Sequence, residues 1–373
     1  MPRSSRQIKI GGIKHSAGFV DEINLGGGLP VPIQTMWKEK LLSSDIDRPE
    51  KIILRIEELK KMGCSLLRFA VPDLKSAEIL GKLSTIVSMP LVADIHFDHK
   101  IALRCLDFPI AKIRINPGNF GQGQHARDKV KALLDKAGAN SVPIRIGINA
   151  GSLSPDLRKQ VDNGDLATDR ALFLAAEREL SIFDEFNFTN VLVSIKASGV
   201  ADTISANRFF AERYDAPLHI GVTEAGPLIA GIVRSTFAIT ELLREGIGDT
   251  IRVSLSDSME NEIIAGREIL ALLSEKQENS GITIISCPRC GRAGFDTHAF
   301  LERWQNRLYG MNKKISVAVM GCEVNGPGEA RHADLGITGT GNRILIFSKG
   351  KLVRTVDNID ADSAFEEELN SFG

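Results

Sequence analysis

Short apolar runs rich in Val, Ile and Leu recur along the chain, and amphipathic stretches with apolar residues three and four apart separate them. The runs are VPIQTM from Val31, SLLRFAV from Ser65, PLVADIHF from Pro90, AKIRINPG from Ala111, PIRIGINAG from Pro143, NVLVSIKAS from Asn190, LHIGVTEAG from Leu218 and TIRVSLSD from Thr250. The segments between them read as helices. PEKIILRIEELKKMG has Pro49 in its first turn and stops at Gly63, the asymmetry that favours a helix start and stop. ARDKVKALLDKAG precedes the fifth run, and SMENEIIAGREILALLSEKQ follows the eighth with apolar residues at helical spacing. Strand alternating with helix builds a parallel sheet, and eight such units are the number that closes a TIM (β/α)8 barrel. No G-x-G-x-x-G turn follows the first run, which sets aside an open dinucleotide-binding sheet. Upstream, IKIGG and INLGGGLP read as a hairpin across the barrel bottom.

The composition changes at Gly281. TIISCPRCGR is followed by a helical stretch, FDTHAFLERWQNRL, then by the strand ISVAVMGC and further short strands punctuated by glycine. The pattern predicts an α/β chain in two domains: a barrel over residues 1–280 and a smaller α+β domain over 281–373.

In a barrel of this kind the active face lies at the C-terminal ends of the strands. Nearly every run carries polar residues there: Arg68, Asp94, Arg114 with Asn116, Arg145 with Asn149, Lys196, Glu224, and Arg252 with Ser254. Period-two alternation puts Arg114 and Asn116 on one face, and likewise Arg252 and Ser254, while the intervening Ile and Val turn toward the helices. Four arginines and a lysine outnumber two strand-borne acids. Cations converging on one interior require an anion or a wet cavity, and the planar guanidinium fork matches phosphate oxygens. A strongly anionic ligand is predicted, with Glu224 placed to give a proton or hydrogen bond to a leaving oxygen.

Cys287 and Cys290 form C-P-R-C, and Cys322 returns in MGCEVNGPGEA. Three soft ligands at this spacing fit either zinc, with His298 or His332 as a fourth ligand, or an iron-sulfur cubane. A cubane held by three thiolates leaves one iron open, and Glu329 is the candidate ligand for it in the resting state. No C-x-x-x-C-x-x-C of a radical-forming cluster occurs. Cys64 and Cys105 sit in apolar surroundings and read as small core residues. Five cysteines in a chain whose first residues, MPRSSRQIKI, lack an apolar signal core do not look like a disulfide framework. A cytoplasmic location is expected. A net charge of −1 gives no global attraction to nucleic acid, so any anion site is local.

VADIHF at Val92, RINPGN at Arg114, PIRIGINAGSL at Pro143, SIKAS at Ser194, GVTEAG at Gly221, EGIGDTIRVSLS at Glu245, SCPRCGR at Ser286 and GCEVNGPGEA at Gly321 come in one order over most of the chain. In these motifs the sequence closely resembles the 4-hydroxy-3-methylbut-2-enyl diphosphate synthase family of the non-mevalonate isoprenoid pathway. The resemblance implies a barrel followed by a 4Fe-4S domain, working as a homodimer in which each barrel faces the partner's cluster domain. It implies 2-C-methyl-D-erythritol 2,4-cyclodiphosphate as substrate and flavodoxin or ferredoxin as electron donor, since no nicotinamide or flavin motif is present. It also implies roles by position. Cys287, Cys290, Cys322 and Glu329 match the cluster ligands. Arg114, Arg145, Lys196, Arg252 and Ser254 match the diphosphate grip, with Arg68, Asp94, Asn116 and Asn149 beside it, and Glu224 matches the catalytic carboxylate. The chain departs from the family pattern at WKEKLLSSDID after the first run, and matches it only loosely beyond Leu335. Two competing readings are a zinc-stabilised barrel acting on sugar phosphates as an aldolase or isomerase, and an RNA-binding module with a cysteine-rich knuckle. The second lacks aromatic stacking runs.

Overall fold

In the computed structural model, which describes residues 3–15, 18–96, 98–121, 123–273, 281–311 and 313–372, each of the eight apolar runs contributes one strand of a parallel sheet. The strands are β1 (Ile33–Met36), β2 (Cys64–Ala70), β3 (Leu91–Asp94), β4 (Lys112–Ile115), β5 (Ile144–Asn149), β6 (Val191–Lys196), β7 (His219–Ile220) and β8 (Thr250–Ile251). Each of β1 to β5 pairs with the next, and β8 lies between β7 and β1. The ring closes between β6 and β7, where Val193 and Leu218 form a parallel bridge and Val193 N–H donates to Pro217 at 2.9 Å. Register sets Arg114 beside both Asp94 and Arg145.

Alternation explains why these segments are strands. Ile113 and Ile115, Ile144, Ile146 and Ile148, and Val191, Val193 and Ile195 are buried on the face turned to the helices, while the charged residues share the other face. The helix Glu50–Lys61 buries Ile52, Ile56 and Leu59 and ends at Gly63, whose φ of 110° is unstrained only for glycine. Helix Gly123–Ala139 buries Val130, Leu133, Leu134 and Ala137. Helix Met259–Leu273 occupies the expected place after β8, and its expected continuation through Ser274–Gln277 lies outside the described residues, as do Phe97 of the third run and the boundary expected at residue 280.

β7 and β8 are shorter than their runs suggested. Gly221, at φ 148°, turns the chain out of the ladder after β7, so Glu224 lies on a loop, and Arg252 and Ser254 lie beyond the end of β8. At the opposite end Ile8–Gly11 pairs antiparallel with Glu22–Leu25. Ile8, Ile10, Val20 and Leu25 pack against Leu66, Val92, Ala111 and Leu192 at the starts of four barrel segments, and so stopper the barrel with an apolar plug.

Contacts divide the chain into two units, Met1–Leu273 and Ser274–Gly373. The second carries a sheet in the order β9 (Thr283–Ser286), β10 (Ser316–Met320), β11 (Leu335–Thr340), β12 (Arg343–Ser348) and β13 (Lys351–Asp357). β9 to β11 are parallel and the last two strands antiparallel. Helices Thr297–Tyr309 and Ala361–Asn370 supply Phe300, Trp304 and Phe365 to its core, where the Phe300 and Phe365 rings meet edge-on at 5.0 Å. No described helix is long and apolar enough to cross a membrane.

Candidate active site

The mouth of the barrel holds a cavity of about 240 Å³ lined by Arg68, Asp94, Arg114, Arg145, Asn149, Lys196, Arg252 and Ser254, together with Met36, His96, Ser194 and Thr223. Eight of the residues expected from the strand tips therefore meet in one place. The charges are unbalanced. Asp94 is approached by Arg114 Nη1 at 3.1 Å and by Arg68 Nε at 3.5 Å. Burial alone would raise the Asp94 carboxyl, but Arg68, His96, Arg114 and Arg145 outweigh it and hold its pKa far below the usual carboxylate range. Burial lowers Arg68 to about 10 against the pull of Asp94. Arg145 is almost wholly buried, and its Nε and Nη1 have no hydrogen-bond partner among the described residues, a costly arrangement that an anion would relieve. Burial, then its cationic neighbours beginning with Arg145, drives Lys196 well below an ordinary lysine.

Arg114 reaches across the barrel floor because β5 has a glycine there. A Cβ on Gly147 would stand 2.3 Å from Arg114 Nε, and the Gly147 carbonyl accepts from Arg114 Nη2 at 3.3 Å. Arg252 is held differently: Nη2 lies 3.3 Å from Glu262 Oε1 on helix Met259–Leu273, which also binds Lys38 at 3.0 Å and accepts from Thr35 at 2.6 Å. Burial opposes ionisation of Glu262, and Arg252 leads the contacts that nevertheless keep its pKa below the ordinary value. Lys38 belongs to WKEKLLSSDID, so the divergent loop after β1 is tied to the site through this carboxylate.

Two expected residues are not in the cavity wall. Asn116 is buried beside it, its Nδ2 3.5 Å from Ser152 Oγ, and Glu224 is exposed on a turn one residue past the lining residue Thr223. Although expected among the polar strand-end residues, Glu224 stands apart from the cations: the strand run ends at Gly221, and the turn carries Glu224 outward with φ 51°, a conformation uncommon for a residue with a side chain. The second acid near the cations is Glu262. Nothing in the sequence marks it, because a helix brings it from outside the barrel. Lys112, by contrast, was legible: it lies two residues before Arg114, on the same face of β4. Beneath the loop that follows β4, Glu179 accepts from Gly118 N–H. Burial, opposed by that bond, pushes its carboxyl up to about 7, while Oε2 finds no partner among the described residues.

In the second unit Cys287 follows β9 and Cys322 follows β10, neighbouring parallel strands. Cys287 N–H donates to Val319 at 3.2 Å, and Gly321 N–H donates to Cys287 Sγ at 3.2 Å. Arg289 in the C-P-R-C turn adopts φ 65°, and Cys290 is exposed. The backbone N–H groups of Val324 and Asn325, with Arg292, favour the thiolate of Cys322 and lower its pKa. A Cβ on Gly321 would come 3.3 Å from Cys287 Sγ, so glycine keeps the space between the two loops open. Glu329 is exposed on helix Gly326–His332, which starts just beyond Cys322; His298 and His332 are exposed as well. Among the described residues no three His, Cys, Asp or Glu side chains converge on one metal ion. A cubane asks for something else, one thiolate at each of several corners, and three soft ligands on adjacent strand-end loops fit that demand. Cys64 and Cys105 are buried, and burial pushes both thiols up to about 12, in keeping with core residues.

Fold and site define a (β/α)8-barrel protein with a cationic mouth and a separate cysteine-bearing domain. Residues 16–267 match the family model described as GcpE TIM-barrel domain, and residues 283–371 the one described as GcpE protein C-terminal domain. Relatives named 4-hydroxy-3-methylbut-2-en-1-yl diphosphate synthase (flavodoxin) come from Treponema denticola, 50% identical over 98% of this chain and 98% of the relative, and from Treponema pallidum, 48% identical over 99% and 93%. A third, from Thermodesulfovibrio yellowstonii, is 41% identical over 98% of each. The chain belongs to the GcpE, or 4-hydroxy-3-methylbut-2-en-1-yl diphosphate synthase, family, as its motifs indicated.

Proposed function

We propose that the chain is a cytoplasmic enzyme that reductively opens and dehydroxylates 2-C-methyl-D-erythritol 2,4-cyclodiphosphate to 4-hydroxy-3-methylbut-2-enyl diphosphate, a step toward isoprenoid precursors by the non-mevalonate pathway. The observation that carries this reading is the cavity ringed by Arg68, Arg114, Arg145, Lys196 and Arg252, with Asp94 as the only acid in its wall among the described residues. A neutral sugar would leave Arg145 unpaired, whereas two linked phosphates satisfy several forks at once.

Arg114, Arg145, Lys196 and Arg252 hold the diphosphate, with Ser254 and Asn149 donating beside them. Asp94 fixes the orientation of Arg68 and Arg114 and is itself too strongly paired to take a proton. Glu224, next to the lining residue Thr223, moves over the bound substrate and hands a proton to the departing hydroxyl. A 4Fe-4S cluster held by Cys287, Cys290, Cys322 and Glu329 would supply single electrons and a Lewis-acidic iron, and flavodoxin, named for the relatives, or ferredoxin delivers two electrons per turnover. In the homodimer that the family resemblance implies, each barrel works with the partner's cysteine domain. Ile229, Val233 and Phe237, 79%, 64% and 59% exposed at four-residue spacing on helix Leu228–Arg244, form an apolar stripe suited to a subunit contact.

Iron and acid-labile sulfide, quantified on anaerobically purified protein, test the reading. We expect both in the wild type and loss of the visible absorbance in Cys287→Ser. Zinc in place of iron, or a brown, active variant, sinks the assignment and favours the zinc-stabilised alternative.

A further inference from the structure

Lys112 shares the inward face of β4 with Arg114, two residues and therefore about 7 Å deeper in the barrel. It is fully buried, and its Nζ has no hydrogen-bond partner among the described residues. On one side of it lies the apolar plug, to which its strand neighbours Val92 and Ala111 belong. On the other lie the cations of the cavity. Arg145 on β5 and Arg68 on β2 act on it with like charge, His219 on β7 feels its charge in turn, and Arg114 lies above it on its own strand, with Asp94 and Lys196 in the cavity wall beyond. Asp94, the one acid among them, is engaged by Arg68 and Arg114, and Glu262 by Arg252 and Lys38. Among the described residues no counter-ion is left for Lys112. Burial, reinforced by Arg145 and Arg68, accordingly drives it well below an ordinary lysine.

We propose that Lys112 stands uncharged in the empty barrel and takes a proton from solvent when an anion enters the cavity above it, so that anion binding and proton uptake are one event. The proposal rests on the anion-site reading given above. A ligand with several negative charges reverses the sign of the field at Nζ, and the ammonium that was opposed by its neighbours becomes favoured. Lys112 is then a positioning charge rather than a direct contact: it backs Arg114 and Arg145 electrostatically from below. Because each bound anion brings a proton with it, affinity falls as pH rises.

The test is calorimetric titration of full-length, cluster-loaded protein with inorganic pyrophosphate, in buffers of different ionisation heat, comparing wild type with Lys112→Met. Methionine keeps the stem and removes an unpartnered amine, so the variant's unfolding midpoint is expected to equal or exceed that of the wild type. Wild type is expected to take up about one proton more per pyrophosphate than the variant, and its affinity to fall up to about tenfold more steeply per pH unit. Protons exchanged by pyrophosphate itself are common to both and cancel. Equal proton counts overturn the proposal while leaving the anion site standing, whereas wild type that binds no pyrophosphate overturns both. Lys112→Gln serves as a second variant. If neither variant folds, the amine is needed for structure and the proposal also falls.

Discussion

A single missing methyl group decides how Arg114 lies. Gly147→Ala would put its Cβ 2.3 Å from Arg114 Nε, so the guanidinium must leave its bonds to Asp94 and the Gly147 carbonyl. Losing a charged contact of this kind costs about 1.5–3 kcal/mol, so pyrophosphate binding to Gly147→Ala should weaken roughly ten- to hundredfold with iron content unchanged. Unaltered affinity would show that Arg114 does not touch the anion. Glu224→Gln probes the other end of the chemistry. Turnover should drop on the order of a hundredfold with cluster absorbance intact, and full turnover would remove Glu224 from the mechanism. At this scale the sequence was informative wherever strand alternation governs. Arg68, Asp94, Arg145 and Lys196 meet because they occupy one face of consecutive strands. Glu262 and Glu179 were hidden because helices bring them in from outside, and no periodicity within a strand reports them.

Among the elements, the loop after β4 rests on a titrating support. Glu179 sits under Gly118, where a Cβ would stand 2.7 Å from its Oε1, and its carboxyl is raised to about 7. A carboxyl whose folded pKa exceeds its unfolded one holds its proton longer in the native state. Stability is therefore full below about pH 4, declines as pH rises toward 7 and is level above it, a loss on the order of 3 kcal/mol. Glu179→Gln should flatten that decline when urea unfolding is followed between pH 5 and 8; an unchanged slope would show that Glu179 is already ionised. The hairpin is the other element with a distinct role, and Ile10→Ala, at a fully buried position in the plug, should cost about 2–5 kcal/mol in the same assay. Helices and strands were legible from their periods, but the lengths of β7 and β8 were not. An apolar run continues past Gly221, and only the backbone turn there shows where the ladder stops.

The molecule as a whole divides into two units, Met1–Leu273 and Ser274–Gly373, each of which buries its own apolar residues. Assembly is less readable from sequence, because Ile229, Val233 and Phe237 follow the same helical period as core residues and only their exposure sets them apart. In the homodimer proposed above, Phe237→Glu should shift the chain from dimer to monomer in sedimentation velocity, and a variant that still sediments as a dimer would move the contact elsewhere. The apolar plug has a consequence for traffic. With Ile8, Ile10 and Leu25 wedged against Leu66 and Leu192, the described residues shut the vessel at that end, and whatever enters by the mouth must back out the same way. A spent molecule lingering in the cul-de-sac blocks its successor, so the product diphosphate should inhibit by competing with fresh substrate.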